Sequence, residues 1–234
     1  MNGNSSTKGD RTKAALRGAA AGYFREVGFQ AATTAEIARR AGVSEGTLFL
    51  HYSNKLGLLT AVTAEFYAAL QADGERVLAA GARDTSELLR ALTLNWAENM
   101  SQAWGFIQVF IQVAATQPGT DLATTVIRAN RAYTRLFTGL IDRLKIEGLL
   151  PASVPTALLR DMLLGCLEHT ARGHQYASRA IDTTTAAKTA LDLLLSISQP
   201  ARELPAERLD AIESKLDALL ERAEPDGQTQ PLAR

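Results

Sequence analysis

Apolar side chains recur at every third or fourth position along most of the chain, which is the spacing of an amphipathic α-helix. The first apolar stripe runs from Ala15 to Val27 and ends at Gly28. No alternating run of β-branched residues predicts a strand, so the pattern predicts an all-α fold. The predicted helices cover about 10–28, 34–41, 45–52, 55–81, 84–101, 103–116, 120–147, 155–179, 183–199 and 206–223.

Capping residues mark where several of these helices begin. Thr33 with Glu36 has the spacing of a capping box, in which hydroxyl and carboxylate each accept an otherwise unpaired backbone N–H. Asp84 and Glu87 repeat that spacing. Gly42 suits the left-handed turn after the second helix, and Ser44 can cap the third.

The composition argues against a disulfide-linked, secreted or membrane-spanning protein. About 46% of the residues are apolar and Cys166 is the one cysteine, so no internal disulfide is expected. The first ten residues lack the apolar core of a signal peptide. The run GFIQVFIQVAA is shorter than the ~20 apolar residues of a membrane span. These features predict a cytoplasmic protein, with disordered ends over 1–9 and 224–234.

The overall charge of zero conceals an uneven distribution. Residues 1–55 contain eight Lys or Arg and four acids, a net charge of +4, which leaves −4 for the remainder. A basic N-terminal segment favours attraction to phosphate. A chance imbalance between solvated faces is the alternative interpretation.

Residues 33–52 have the pattern of a helix-turn-helix, in which the second helix enters the major groove of DNA. Leu48 and Tyr52 are expected to pack inward on the first helix and Ile37. Small or apolar groups on the other face could approach base edges, and Phe49 and His51 could flank phosphates. The alternative is a three-helix packing unit without a role in DNA binding.

The stretch TTAEIARRAGVSEGTLFLHYSNKLGLL resembles the DNA-binding head of the tetracycline-repressor (TetR) family of bacterial transcription regulators. The shared positions are Thr-Thr, Ile-Ala, Ala-Gly-Val-Ser, Gly-x-Leu-aromatic-x-His-aromatic, Asn-Lys and Leu-Leu. Phe49 replaces a usual Tyr, and Leu56 replaces a usual acid after the lysine. We expect Lys55, beside the backbone N–H groups that begin the fourth helix, to bind phosphate. The predicted DNA-binding residues are Thr33, Thr34, Ser44, Glu45, Gly46, Thr47, Phe49, Leu50, His51 and Lys55.

The resemblance implies an all-α protein with an N-terminal three-helix DNA-binding head and a larger C-terminal helical regulatory and dimerisation domain. The expected divisions are a disordered arm over 1–9, the head over 10–55, the ligand-binding and dimerisation domain over 56–200, an additional helix within 201–223 and a disordered tail over 224–234.

The last two helices of the large domain carry apolar residues beyond a single stripe, which indicates a second burial partner. In the family, the corresponding helices pair with those of a second copy in a four-helix bundle. A deeply buried monomeric core would give the same pattern. The dimer-interface candidates are Leu159, Leu163, Leu167, Leu191, Leu194 and Leu195.

A cluster of aromatic residues on consecutive helices is typical of a ligand pocket and equally of a hydrophobic core. Few charges accompany it, which favours an apolar or amphipathic effector. The stretch LLRDMLLGCLEHTARG resembles family members that sense fatty-acyl or other lipophilic compounds. The ligand-binding candidates are Trp96, Trp104, Phe106, Phe110, Tyr133, Phe137, Met162, Cys166 and His169.

Metal binding and catalysis have little support in the sequence. Cys166 and His169 share a helix face, but His174 lies well round the helix, and four zinc ligands cannot be assembled. No nucleophile elbow or triad context surrounds the Ser, His and Asp residues. We therefore expect no metal, no cofactor and no enzymatic activity.

The sequence thus predicts a homodimeric, ligand-responsive repressor that leaves a pseudo-palindromic operator when a small, largely apolar effector binds. The alternative is a small-molecule-binding helical protein, possibly enzymatic, whose head has lost DNA binding. Phe49 and Leu56 are the residues that support this alternative.

Overall fold

The computed structural model describes residues 7–176 and 183–196, and within these ranges the chain forms eight helices and no strand. The predicted all-α class is therefore confirmed. The helices are α1 (Lys8–Ala31), α2 (Thr34–Arg40), α3 (Glu45–His51), α4 (Lys55–Ala80), α5 (Thr85–Thr116), α6 (Asp121–Ile146), α7 (Thr156–Tyr176) and α8 (Thr183–Ser196).

Helix α1 begins two residues earlier than predicted, because Thr7 and Asp10 form a complete capping box. Lys8 and Gly9 are consequently helical and do not belong to an arm. Gly28 interrupts the helix with φ 77° and ψ 169°, a backbone conformation that glycine adopts without the strain of a Cβ. The predicted end at Gly28 coincides with this break, beyond which the last turn runs to Ala31.

The caps of α2 and α3 lie where the sequence places them. Thr33 Oγ1 accepts from Glu36 N at 3.3 Å, and Ser44 Oγ accepts from Thr47 N at 3.1 Å. Glu36 does not complete a capping box, because its carboxylate binds Arg39 and Arg40. The prediction of a reciprocal box at this position is therefore wrong.

A single 32-residue helix, α5, replaces the two helices predicted over 84–101 and 103–116. Asp84 Oδ1 caps it by accepting from Glu87 N at 2.8 Å. The Glu87 carboxylate accepts from Arg83 N, so this second capping box is also only half formed. Ser101 and Gln102 are compatible with a helix interior, and no proline or left-handed glycine interrupts α5.

The core lies between the long helices. Helix α1 packs on α2, α4 and α5, while α4 also packs on α5 and α6. Helix α5 contacts α6, α7 and α8, and α7 packs on α6 and α8. No helix within the described ranges has the length and apolar character needed to cross a membrane. These helices belong to one compact unit, 1–197.

Several predictions fall outside the described residues. They include most of the 1–9 arm, the ends of the helices expected over 155–179 and 183–199, the additional helix within 201–223 and the tail over 224–234.

Candidate DNA-binding head and ligand pocket

Helix α3 has one buried side and one exposed side. Leu48 is fully buried on the side that faces the core. Phe49 is 47% exposed and Leu50 is 80% exposed, while Glu45 and Gly46 are also exposed. The short helix therefore presents to solvent the residues predicted to meet DNA.

Hydrogen bonds hold the start of α3 in place. Ser44 Oγ lies 2.8 Å from Thr47 Oγ1 in addition to capping the Thr47 backbone. Thr34 Oγ1 donates to Glu45 Oε1 at 2.5 Å, which joins the first turns of α2 and α3. The relative orientation of the two helices is thus set by side chains as well as by the turn at Gly42, whose φ is 70°.

The structure gives Lys55 a role other than the predicted phosphate contact. Its Nζ donates to the carbonyl oxygens of Phe29 at 2.7 Å, Gln30 at 3.3 Å and Ala32 at 2.8 Å. An ammonium has three N–H donors, so these bonds use all of them. Burial lowers the pKa of Lys55. Lys55 therefore ties the first turn of α4 to the C-terminal end of α1.

A second connection joins α1 to α4 and to the end of α3. Arg17 forms an ion pair with Glu65 at 2.5 Å, and its Nη1 donates to Tyr52 Oη at 3.3 Å. The hydrogen bond to Glu65 raises the pKa of Arg17. The Tyr52 hydroxyl in turn donates to the carbonyl oxygen of Lys13 at 3.4 Å. The C-terminal end of α3 consequently lies beside the first half of α1.

Exposed cations flank α3 on this side. Lys8, Arg11 and Lys13 are exposed on α1, and none forms an ion pair with an acid of the described residues. Arg39 and Arg40, by contrast, both pair with Glu36. The start of α1 therefore has basic side chains that are available to phosphate.

Helix α4 begins at Lys55 without the acid that the family usually has in the next position. Asn54 Oδ1 accepts from Gly57 N at 2.8 Å, so a different side chain caps the helix. Leu56 is partly buried against the core. The departure at Leu56 thus leaves the start of α4 intact.

A pocket of about 260 Å³ lies among α4, α5, α6 and α7. We call it the aromatic pocket. Apolar and aromatic side chains form most of its wall, with Asn130 and Glu168 as polar members. It is lined by Phe66, Tyr67, Leu70, Trp96, Met100, Trp104, Ile107, Ile111, Val126, Asn130, Tyr133 and Glu168.

Burial shifts the pKa values of the titratable groups of this pocket upward. Burial raises the pKa of Tyr67 to about 12 and also raises that of Tyr133. Burial likewise raises the pKa of Glu168, although part of that residue remains exposed to solvent. Trp104 Nε1 and Tyr133 Oη are buried without a hydrogen-bond partner among the described residues.

A polar groove of about 340 Å³ adjoins the aromatic pocket and shares Trp104 and Ile111 with it. Its remaining lining residues are Gln108, Gln112 and Arg172. The pocket and groove together offer an apolar chamber next to a site with one cation and two amides.

The predicted ligand-binding residues fall into three groups. Trp96, Trp104 and Tyr133 line the aromatic pocket. Phe106 and Phe110 pack on Phe66 at 6.0 and 5.9 Å between ring centres, behind the lining. Phe137 is fully buried against Tyr133. The remaining candidates, Met162, Cys166 and His169, are exposed on α7 and lie outside this pocket.

Most of the predicted dimer-interface residues are buried within the single chain. Leu159, Leu163, Leu167, Leu191 and Leu194 are at most 4% exposed, and Leu195 packs partly against the same core. These residues hold α7 and α8 to the rest of the chain. Leu163 and Leu194 also line an open groove on the surface of α7 and α8, so the role of these six residues at a dimer interface stays a prediction.

The apolar residues that α7 and α8 expose to solvent differ from the buried leucines described above. Leu158 and Met162 are each 52% exposed, and Leu193 is 64% exposed. Met162, Cys166 and Leu193 line an open groove of about 370 Å³ with Leu163, Ala190, Leu194 and Ser196. We call this surface the α7–α8 groove.

Sequence reasoning missed the lining residues on α4. Phe66, Tyr67 and Leu70 continue the apolar pattern of that helix, and the pattern alone does not separate pocket from core. Glu168 was also missed, although an acid within an otherwise apolar stretch of α7 was a signal that could have identified it.

The comparisons with known proteins agree with this geometry. Residues 16–62 match the profile of the bacterial regulatory proteins of the tetR family. The fatty acid metabolism regulator protein of Bacillus subtilis (strain 168) is 21% identical over 182 residues, covering 76% of this chain and 91% of that protein.

Solved structures share the fold. A transcriptional regulator from Bacillus subtilis in complex with stearoyl-CoA has a TM-score of 0.68 at 19% identity, over 80% of this chain and 99% of that one. A Thermus thermophilus repressor in complex with lauroyl-CoA has a TM-score of 0.58 at 26% identity, over 82% and 97%. Residues 16–62 are thus similar to the N-terminal segment of the bacterial tetR-family regulatory proteins, and the chain shares the fold of solved transcriptional regulators.

Proposed function

We propose that the protein is a homodimeric repressor that leaves a pseudo-palindromic operator when a fatty-acyl effector occupies the aromatic pocket. The observation that carries this proposal is the position of α4. Phe66, Tyr67 and Leu70 of this helix line the pocket, while Lys55 at its start is bonded to the end of α1. A ligand that displaces α4 therefore acts directly on the head.

Binding to DNA is supported by the exposed side of α3 and the cations beside it. The helix is held by its caps with Phe49 and Leu50 projecting into solvent. Lys8, Arg11 and Lys13 are available for phosphate contacts, which supply much of the affinity of DNA-binding proteins. We assign base contacts to α3 and phosphate contacts to the start of α1.

Dimerisation is supported by the α7–α8 groove. Large exposed apolar patches on a protein surface usually mark an interaction site. A twofold axis through this groove would pair the same stripe of both copies and bury Leu158, Met162 and Leu193. Two heads in one dimer would then meet two successive major grooves.

The effector is proposed to be amphipathic. Its acyl chain would lie among the aromatic and aliphatic side chains of the pocket, and its polar head would lie in the adjoining groove near Arg172. Trp104 and Ile111 line both sites and mark the junction. The acyl-CoA complexes of two proteins with this fold support the same class of ligand.

Reciprocity follows from linkage. If the acyl compound lowers the affinity of the dimer for the operator, the operator lowers the affinity for the acyl compound by the same factor. A tenfold effect corresponds to a coupling free energy of about 1.4 kcal/mol. The coupling acts through α4, the helix that contacts both the pocket and the head.

The test begins with selection of a bound duplex from a randomised DNA library, followed by titration of the labelled complex with lauroyl-CoA. We expect release by lauroyl-CoA and no release by coenzyme A alone. The Val126→Trp variant fills the pocket and should bind DNA without responding. Ile127→Trp, at a neighbouring position that is 53% exposed and outside the pocket, is the matched control.

The outcomes separate the parts of the proposal. Failure to bind any duplex in a salt-dependent manner would reject the role as a DNA-binding repressor and favour a small-molecule-binding protein. DNA binding that no acyl-CoA affects would reject the effector class alone. An unaltered response in Val126→Trp would place the ligand elsewhere in the chain.

A further inference from the structure

We infer that α3 recognises the 5-methyl groups of thymines through a close apolar contact formed by Gly46, Phe49 and Leu50. This inference rests on the proposed binding to duplex DNA and specifies which bases the helix prefers. The three positions are spaced i, i+3 and i+4, so they lie on one side of the helix. We call this side the apolar reading face.

The side chains of the apolar reading face are exposed to solvent in the described chain. Leu50 is 80% exposed, the largest exposure among the large apolar residues in the described part of the head. Phe49 beside it is 47% exposed. Leu48, between two of these positions in sequence, is fully buried and supplies the inward contact of the helix. Packing of α3 therefore does not account for Phe49 and Leu50.

Gly46 has no structural reason to be glycine within the chain. A Cβ placed there would meet only Ser44 Oγ, at 3.9 Å, which is an ordinary contact distance. Its backbone is not in the left-handed region, where glycine is favoured. Glycine also weakens a helix relative to alanine. The missing side chain at Gly46 leaves room for an external surface to approach the helix closely.

The polar groups of α3 are poorly placed to identify guanine or adenine. The Glu45 carboxylate accepts from Thr34 Oγ1, and Thr47 Oγ1 bonds to Ser44 Oγ. The helix Glu45–His51 contains no Arg, Lys, Asn or Gln. Those four side chains make the usual bidentate contacts to guanine and adenine in the major groove.

The thymine methyl is the apolar feature that a base pair presents in the major groove. Contact between this methyl group and the apolar reading face buries apolar surface of both the DNA and the protein. The contact therefore favours binding. We therefore expect A·T pairs, with accessible thymine methyls, at the positions under α3 in each half-site of the operator.

The experiment uses the full chain and the duplex selected from a randomised library. Each thymine of a half-site is replaced in turn by deoxyuridine, which removes only the 5-methyl group. For the wild-type protein, at least one replacement per half-site should weaken binding by about fourfold, the effect of losing one buried methylene equivalent. In Leu50→Ala, the same replacement should change the affinity by less than about twofold, as in a double-mutant cycle.

Several results would overturn the inference. Duplex binding that no thymine replacement affects would reject methyl recognition while leaving the proposed DNA binding intact. An equal effect of the replacement in wild type, Leu50→Ala and Phe49→Ala would assign the methyl contact to another residue. Failure of the chain to bind any duplex would reject the inference together with the proposed function.

Gly46→Ala tests the close approach separately. The variant should melt no lower than the wild type, because the added Cβ has space and favours the helix. It should nevertheless bind the selected duplex about tenfold more weakly. Gly139→Ala is the matched control, since Gly139 is exposed in α6 and a Cβ there would meet open space; it should leave DNA affinity unchanged. Equal affinity of Gly46→Ala and Gly139→Ala would reject the close approach.

Discussion

The ammonium of Lys55 lies 2.7 Å from the carbonyl oxygen of Phe29 and 4.6 Å from the centre of the same residue's ring. The contact joins the start of α4 to the end of α1, where backbone carbonyls have no partner within the helix. A cation at that end also interacts favourably with the helix dipole. Lys55 is therefore one of the connections between the head and the helix that lines the aromatic pocket.

Lys55→Met should lower the free energy of unfolding by about 2 kcal/mol, because hydrogen bonds to a charged group are lost and several carbonyls remain partly buried. At a temperature where the variant is folded, the dependence of DNA affinity on salt should match that of the wild type. Chemical denaturation and binding titrations at several salt concentrations measure both quantities.

Lys13→Gln is the matched comparison for this prediction. Lys13 is exposed beside the end of α3, so its loss should leave stability unchanged and reduce the slope of log K against log salt by about one. A reduced slope in Lys55→Met with unchanged stability would instead restore the phosphate contact to Lys55.

The α7–α8 groove should be the dimer interface. Met162→Glu combined with Leu193→Glu should raise the dimer dissociation constant by at least about 100-fold, because like charges would be buried at a symmetric apolar contact. The monomer should stay folded, since both residues are largely exposed in the single chain. Light scattering with circular dichroism measures both properties.

Two controls make this result specific. Ile127→Glu with Ile146→Glu changes apolar residues that are 53% and 86% exposed elsewhere on the surface, and it should leave the dimer intact. Leu191→Glu should unfold the chain, because Leu191 is 1% exposed inside it. A folded double variant at Met162 and Leu193 that still forms dimers would place the interface elsewhere.

Removing the hydroxyl of Tyr133 and removing that of Tyr52 should change the free energy of unfolding in opposite directions. Tyr133 is 1% exposed and its Oη has no partner among the described residues, so Tyr133→Phe should raise the free energy of unfolding by about 1 kcal/mol. Tyr52→Phe loses bonds to Arg17 and to the carbonyl oxygen of Lys13 and should lower it by about 1 kcal/mol. Destabilisation of similar size in both variants would show that Tyr133 Oη is satisfied.

Features set by a few neighbouring residues could be predicted from the sequence. Thr33 and Ser44 cap α2 and α3 as expected, since a capping hydroxyl needs only the backbone N–H two or three residues later. Gly28 and Gly42 have positive φ where the sequence ends a helix. The order of helices in the head followed from these local signals.

Features set by the direction of a side chain could not be predicted. An ammonium at the start of α4 can bind either a phosphate or a set of backbone carbonyls. In the fold, the carbonyl of Phe29 lies within reach of Lys55 and accepts its hydrogen bond. On α7 and α8, two apolar stripes are present, and the tertiary fold determines that Leu159 faces inward while Met162 faces outward. The same ambiguity affects the ligand-binding candidates Cys166 and His169, which do not line the aromatic pocket.

The start of α2 should contribute stability that depends on pH. Glu36 accepts from Arg39 Nε at 2.7 Å and from Arg40 Nε at 2.9 Å, and these bonds, that to Arg39 first, lower the pKa of Glu36 from 4.5 to about 2. A carboxyl with a lowered folded-state pKa stabilises the fold above its unfolded value and loses that contribution as pH falls toward the folded value. The window therefore lies between about pH 4.5 and pH 2.

Glu36→Gln isolates this contribution. The difference in unfolding free energy between wild type and variant should be present at pH 7 and should diminish through that window. It should also decrease with added salt, because the ion pairs are exposed to solvent. Denaturant titrations at pH 7, 4 and 2.5 provide the measurement, and a difference that stays constant with pH would contradict the assignment.

Gly74 of α4 lies against side chains of α5 and α6, one of which lines the aromatic pocket. A Cβ at this position would lie 2.7 Å from Leu136 Cδ1, 3.2 Å from Tyr133 Cε2 and 3.3 Å from Leu92 Cδ1. Leu136 alone could rotate away, but the tyrosine ring and Leu92 are buried and must move as well. Gly74→Ala should therefore lower the free energy of unfolding by about 1–2 kcal/mol, since overpacking outweighs the gain in helix propensity.

Gly139→Ala supplies the comparison within the same helix pair. Its added Cβ meets open space, so the variant should gain about 0.5–1 kcal/mol from helix propensity alone. Opposite signs for the two variants are expected in denaturant unfolding. Because Tyr133 also lines the aromatic pocket, Gly74→Ala should in addition weaken lauroyl-CoA binding, whereas Gly139→Ala should not. If both alanine variants were more stable than the wild type, α4 and α6 could separate at Gly74 without a loss of stability. The close contact at Gly74 would then not constrain the pocket.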